Sequence, residues 1–204
     1  MNQSIGKLGD EHLKVDNYIV TDDRVRYVPY QIDIRADSMG YGFIDLKNRP
    51  SEAMKVVEAR ELPELQLLLR EFSLPSNPFF SIGCEKAAWK QDNGRYSVRG
   101  YVEFSFNFPV LANFQNYETL QKDFGQAIKK KKVTGLSYFE WRVAPMIIPW
   151  VKEGMHSCTL WIKVSDIPSR DLALRRYNKA VGLLTSYFKD LDIPHTTQSK
   201  VFEN

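Results

Sequence analysis

The stretch from Phe80 to Phe108, FSIGCEKAAWKQDNGRYSVRGYVEFSFNF, decides the fold. On its near side Phe80, Ile82 and Cys84 alternate with Ser81, Gly83 and Glu85. On its far side Val98, Val102, Phe104, Phe106 and Phe108 alternate with Arg99, Tyr101, Glu103, Ser105 and Asn107. Successive side chains point to opposite sides of a strand, so strict alternation marks strands with one buried and one solvated face. Asp92-Asn93-Gly94 between them is a turn signal. A two-residue loop would set Val102 opposite Glu85. A three-residue loop sets Val102 opposite Cys84, Phe104 opposite Ile82 and Phe106 opposite Phe80, and it leaves Gly94 in the left-handed position such loops favour. The apolar pairing selects the three-residue hairpin.

Working outward, the same pattern of strand, strand, helix occurs three times. After the hairpin, Tyr117, Leu120, Phe124 and Ile128 form one helical stripe, with Asn116 as a candidate cap. In the last unit Phe139, Trp141 and Val143 alternate with Tyr138, Glu140 and Arg142, and Cys158, Leu160, Ile162 and Val164 alternate with Thr159, Trp161 and Lys163. A helix from near Ser169 then carries Ala173, Tyr177, Ala180, Leu184 and Phe188 on one stripe. The first unit reads as strands over Val25–Val28, Ile32–Ile34 and Tyr41–Leu46. A helix from Ser51 follows, with Met54 and Val57 on one face. Pro63 interrupts it and can open a second helix, where its missing N–H costs nothing. Leu65, Leu68, Leu69 and Phe72 make the stripe of that second helix.

Antiparallel strands with one apolar face, joined by hairpins and punctuated by amphipathic helices, predict an α+β two-layer sandwich of ββα units, the helices on one face of an antiparallel sheet. From Tyr41 to about Val143 the order β-α-β-β-α-β is ferredoxin-like, with an extra N-terminal strand and an extra C-terminal strand and helix. The expectation is a single domain over 1–204, with a polar N-terminal arm at 1–17 and a C-terminal tail at 195–204. Pro50, Pro109 and Pro168 each follow Asn or Asp by two residues between a strand and a helix. That recurrence fits internal repetition, and it equally fits independent use of turn residues at strand–helix junctions.

Composition narrows the function classes. With 43% hydrophobic and 26% charged residues the 204-residue chain has the makeup of a globular protein. A net charge of +3 is too small to argue nucleic-acid binding by itself. The one basic run, Lys129 to Lys132, ends a helical pattern, where cations complement the helix dipole. The polar N-terminus has no apolar signal segment, and no apolar run is long enough to span a bilayer. The expected compartment is the cytoplasm, with no membrane contact. Cys84 and Cys158 lie on apolar strand faces as small hydrophobes. The three histidines give no metal signature, so no cofactor is expected.

Two surfaces carry the functional reading. The polar sheet face collects Arg99, Tyr101 and Glu103 from one strand, Tyr138, Glu140 and Arg142 from a second, and Trp161 and Lys163 from a third. Pairing Glu140 with Lys163 and Arg142 with Trp161 gives a favourable register for the last hairpin. This face is either a solvated, self-paired surface or a ligand surface whose rings stack on single-stranded nucleic acid, although Glu103 and Glu140 oppose a phosphate backbone. The second surface is Pro145 to Val151. Met146, Ile147, Ile148 and Trp150 lie there without a charge, and Pro145 and Pro149 argue against a continuous internal strand. This segment either tucks over the core or projects as a contact for a protein partner or a second copy.

No arrangement defends an enzymatic assignment. Asp33, Asp37 and Asp45 near Gly40 and Gly42 have the composition of a magnesium site for phosphoryl transfer, yet acids beside glycine in turns are ordinarily turn formers. A pair of His156 and Cys158 falls in the buried phase. The reading is therefore a non-catalytic protein-interaction module. The alternative is a sheet that binds a ligand or single-stranded nucleic acid, and metal-dependent phosphoryl transfer comes third.

Overall fold

The computed structural model describes residues 15–30, 42–129, 137–193 and 200–202. Their elements run β1 (Asp16–Thr21), β2 (Arg26–Tyr27), α1 (Pro63–Ser73), β3 (Phe79–Lys90), β4 (Tyr96–Phe106), α2 (Phe114–Lys129), β5 (Ser137–Ile147), β6 (Met155–Ile167) and α3 (Arg170–Lys189). Short 3-10 turns occupy Pro50–Lys55, Val57–Ala59 and Pro109–Leu111. Strand, strand, helix recurs three times, but the first pair is β1, which was not expected, and β2, which alone matches an expected strand, Val25–Val28. The fold is mixed α+β, around a six-stranded sheet of order β1-β5-β6-β4-β3 in which β2 also pairs with β5.

The decisive hairpin closes as its apolar pattern demands. Cys84 pairs with Val102, and Lys90 pairs with Tyr96. Gln91 and Arg95 close the loop through Gln91 N to Arg95 O at 2.7 Å, and Gly94 donates to Gln91 O at 2.9 Å. Gly94 adopts φ 79, the left-handed conformation a side chain disfavours. Beyond Gly83 the pairing departs from expectation. A bulge between Ser81 and Gly83 sets Ser81 opposite Phe104 and Phe79 opposite Phe106. The extra residue re-aims the strand, as bulges do.

Each helix carries the stripe its sequence predicts. Leu65, Leu68, Leu69 and Phe72 of α1, Tyr117, Leu120, Phe124 and Ile128 of α2, and Ala173, Tyr177, Ala180, Leu184 and Phe188 of α3 are all buried. They meet the sheet through aromatic pairs, Phe188 and Phe72 against Phe104, and Phe124 and Phe188 against Trp141. Ser169 caps α3 by accepting from Leu172 N. At α2 the cap is Asn113, which accepts from Asn116 N at 3.0 Å, and not Asn116 itself.

Four expectations are corrected. The sheet is mostly antiparallel and not wholly so, because β1 and β2 both run parallel to β5. The ferredoxin-like order needs a strand at Tyr41–Leu46, and residues 42–46 form none; Asp45 there accepts from Asn48 in a turn. Ile32–Ile34 lies outside the described residues. The helix expected from Ser51 is a pair of 3-10 turns whose buried residues are Ala53 and Ala59, while Met54 is exposed. Finally, the described residues of the expected arm and tail belong to the fold, and the rest of 1–17 and 195–204 lies outside the described residues. Strand β1 begins at Asp16. At the other end Val201 and Phe202 are buried, with Val201 N and Phe202 N donating to the backbone and side-chain oxygens of Asn107 at 2.8 and 3.0 Å.

Asn48, Asn107 and Asp166 do not share a role. Asn48 closes a turn on Asp45, Asn107 holds the C-terminal residues, and Asp166 adopts φ 61 and receives Arg95. Independent use of turn residues accounts for the recurrence.

Candidate functional site

The register places the polar side chains of the sheet in a grid. Lys163 of β6 lies between Arg99 and Tyr138, Trp161 between Tyr101 and Glu140, and Thr159 between Glu103 and Arg142. Strand β1 extends all three rows, with Asp16 beside Tyr138, Tyr18 beside Glu140 and Val20 beside Arg142. All eight residues expected on this face, Arg99, Tyr101, Glu103, Tyr138, Glu140, Arg142, Trp161 and Lys163, therefore share it. The expected pairing of the last hairpin is off by two residues: Glu140 faces Trp161 and not Lys163, and Arg142 faces Thr159. The favourable cross-strand pairs that argued for the other register are each worth only about 0.2–1 kcal/mol, and the buried alternation is kept by either choice.

The groups on this face partner one another. The Arg99 guanidinium stands 4.0 Å from the Trp161 ring centroid and that of Arg142 5.9 Å, while the Tyr101 ring tilts against Trp161 at 4.8 Å. Arg142 donates to Glu140 at 2.7 Å, and the Tyr138 hydroxyl donates to the other Glu140 oxygen. Burial works to raise the Glu140 pKa, but the bonds from Arg142 and Tyr138 and the nearby charges prevail and hold it below the usual carboxylate value. Tyr138 is pushed up, first by burial and then by its bonds to Glu140 and Tyr18.

One row away, Glu103 accepts from Ser157 at 2.9 Å and meets Arg26 at 3.4 Å. Burial raises its pKa, against the pull of Arg26. Arg26 also reaches Asp22 at 3.2 Å. Asp22 itself is lowered to about 2, chiefly by its hydrogen bond from Arg24. The sequence reading does not reach Tyr18 and Asp22, which lie between the arm at 1–17 and the strand at Val25–Val28, nor Arg26, which lies in that short strand. The run Ile19-Val20-Thr21, three β-branched residues, was the available signal.

The apolar segment is corrected. Strand β5 continues through Pro145 to Ile147, so the first three residues of the segment are strand, and a turn at Pro149 and Trp150 follows. Pro145 is tolerated inside the sheet for a definite reason. It faces His156, whose N–H turns away to Ala112 O, so this is a non-bonded pair and the missing amide would point to the other side. On that side β5 pairs with β1 only up to Val143 and with β2 only from Met146. Met146 and Ile148 are consequently core residues, 3% and 2% exposed, and are not available to a partner. Alternation turns Ile147 outward at 46%, and Trp150 is 54% exposed, its indole N–H donating to Val201 O. Tyr27, the register partner of Ile147, is 64% exposed.

Burial raises the Cys158 thiol well above its ordinary value, and the His156 ring lies against Ala112 O. Among the described residues no cluster of three or more His, Cys, Asp or Glu is arranged to hold a metal ion. Asp33 and Asp37 lie outside the described residues. No described helix is long and apolar enough to cross a membrane. Comparison with protein families, curated proteins and solved structures finds no significant match.

Proposed function

We propose that this protein is a non-catalytic interaction module that docks a protein, a second copy of itself included, through the corner formed by Tyr27 and Ile147. The observation that carries the reading is the pairing of Tyr27 with Ile147 at the end of β5, both outward and both largely exposed. Exposed apolar side chains gathered in one place mark contact surfaces. Their backbone is held by Met146 and Ile148 in the core and by Val28 N to Ile147 O at 3.0 Å, so little conformational freedom is lost on docking. The reading takes the chain as a two-layer sandwich with its helices together on the Phe104 and Trp141 side. Aromatic packing from all three helices onto those two residues supports that.

The polar grid favours contact over stacking of nucleobases. The Trp161 ring already carries Arg99 and Tyr101, and Glu140 already neutralises Arg142. A base would have to displace these pairs. The test is sedimentation velocity of the wild type beside Tyr27→Ser/Ile147→Asp, over a wide concentration range and with circular dichroism as the check on folding. Association that weakens in the folded double variant supports the proposal. If wild type and variant are both monomeric, and both retain the same partners on affinity capture, the corner is not a docking surface.

A further inference from the structure

A cleft of about 820 Å³ lies along β3, outside the polar grid except where Tyr101 and Glu103 reach it. That is the size of a pocket for a small organic ligand or a few residues of peptide. One wall is apolar, from Ile44, Leu46, Val56 and Val57, and two phenols, Tyr30 and Tyr101, face it. We propose that this cleft binds an organic cation, a primary ammonium or guanidinium on an apolar stem.

The sign of the ligand follows from the charges. Glu58, Glu85 and Glu103 line the cleft together with Lys55 and Lys86. Both lysines are engaged by glutamates outside the lining, Lys55 with Glu52 at 3.4 Å and Lys86 with Glu61 at 2.7 Å. Glu103 shares Arg26 with Asp22. The balance inside the cleft is negative. Carboxylates beside aromatic rings, over an apolar wall, attract a cation by charge, by charge-assisted hydrogen bonding and through the ring faces.

The backbone is shaped to seat one of the rings. The bulge between Ser81 and Gly83 presents the Ile82 carbonyl, which accepts from the Tyr30 hydroxyl at 3.1 Å. A Cβ on Gly83 would lie 2.8 Å from that hydroxyl, so the glycine makes room for the phenol at the rim. Burial pushes the Tyr30 phenol up to about 12, and the charge of Glu103 adds to this, so the ring stays neutral and donates. Burial likewise raises the Cys84 thiol in the lining, which keeps it protonated and without charge.

Isothermal titration with 2-phenylethylamine, beside its uncharged counterpart 2-phenylethanol, tests the proposal. Acetyl-Gly-Lys-Gly-amide then separates a free amine from a lysine side chain as the source of the cation. The ammonium should bind at least about tenfold more tightly than the alcohol, and increasing salt should weaken the ammonium alone. Glu58→Gln/Glu85→Gln, folded by circular dichroism, should lose about tenfold for the ammonium and nothing for the alcohol. The salt dependence of the wild type gives the same answer if the variant fails to fold. Equal binding of amine and alcohol, or no binding of the amine or the lysine peptide, overturns the proposal.

Discussion

The indole N–H of Trp141 donates to Oδ1 of Asn17 at 2.9 Å, joining the centre of β5 to the parallel strand beside it. The amide of Asn17 is used at its other end too: Nδ2 donates to Gln121 O, and Gln121 Nε2 returns a bond to Asn17 O, each at 2.9 Å. One side chain thus ties β1 to the core tryptophan and to α2. Asn17→Leu keeps the branched shape and leaves the indole N–H without its acceptor in a site where Trp141 is 0% exposed. An unpaired buried donor costs about 1–3 kcal/mol. Urea unfolding should show a loss in that range. A variant as stable as the wild type would mean that β1 is not docked through Asn17.

The hairpin supplies a backbone test. Gly94 sits at φ 79, and nothing but the end of Lys90 comes within 4.0 Å of the position a Cβ would take. A loss on substitution is therefore conformational and not steric crowding. Gly94→Val should cost about 1–2 kcal/mol, the penalty of a side chain in the left-handed region. Gly94→Asn should cost less, since asparagine tolerates that region better. Equal stability of Val, Asn and Gly at this position would remove the three-residue turn.

The fold was legible wherever a local period and a local stop signal coincide. Gly94 fixes one register, Pro63 and Ser169 open two helices, and the stripes of α1, α2 and α3 follow from a spacing of three and four. Long-range pairing was not legible. Strand β1 joins the sheet in parallel beside β5, more than a hundred residues away, with no hairpin to announce it. The bulge at Ile82 leaves no trace in an alternation that runs on unbroken. Between β5 and β6 no turn signal comparable to Asp92-Asn93-Gly94 sets the register, so weak side-chain pairs selected a wrong one. Of the two candidate surfaces, the polar face follows from alternation alone. The apolar segment could not be read, because being free of charge suits Met146 and Ile148 in the core as well as Ile147 and Trp150 outside it.

The C-terminal residues belong to the structure. Phe202 packs edge-on against Phe80 at 4.8 Å and stacks with Phe43 at 6.1 Å, while Val201 O receives the Trp150 indole. Removing residues 200–204 exposes Phe80 and leaves Asn107, 1% exposed, without its three bonds to Val201 and Phe202. Each buried side chain of this size contributes about 1.5–3 kcal/mol. A chain ending at Ser199 should unfold at markedly lower urea concentration. Asn107→Ala in the full chain should reproduce part of the loss. An unchanged midpoint for the shortened chain would show that these residues merely rest on the surface.

Lys47 gives the stability a pH dependence whose sign can be worked out. The residue is 3% exposed, and its ammonium donates to Leu74 O at 2.6 Å and Asn77 O at 2.8 Å. Burial, and secondarily the charge of Lys200, lowers its pKa to about 7, against the opposing effect of Glu71. The unfolded lysine keeps a pKa of about 10.4. Between these values the unfolded chain binds more protons than the folded one, so folding grows more favourable as pH rises through the window. Below pH about 7 the folded state carries the full cost of a buried charge. Lys47→Met removes the titration, and the difference between wild type and variant isolates it from the tyrosines that ionise near the top of the range. That difference should shift toward the wild type between about pH 7 and 10, by at most about 1.4 kcal/mol per pH unit. Chemical denaturation of both proteins across the window measures it. A flat difference would mean that Lys47 stays protonated in the folded protein, held by the two carbonyl oxygens.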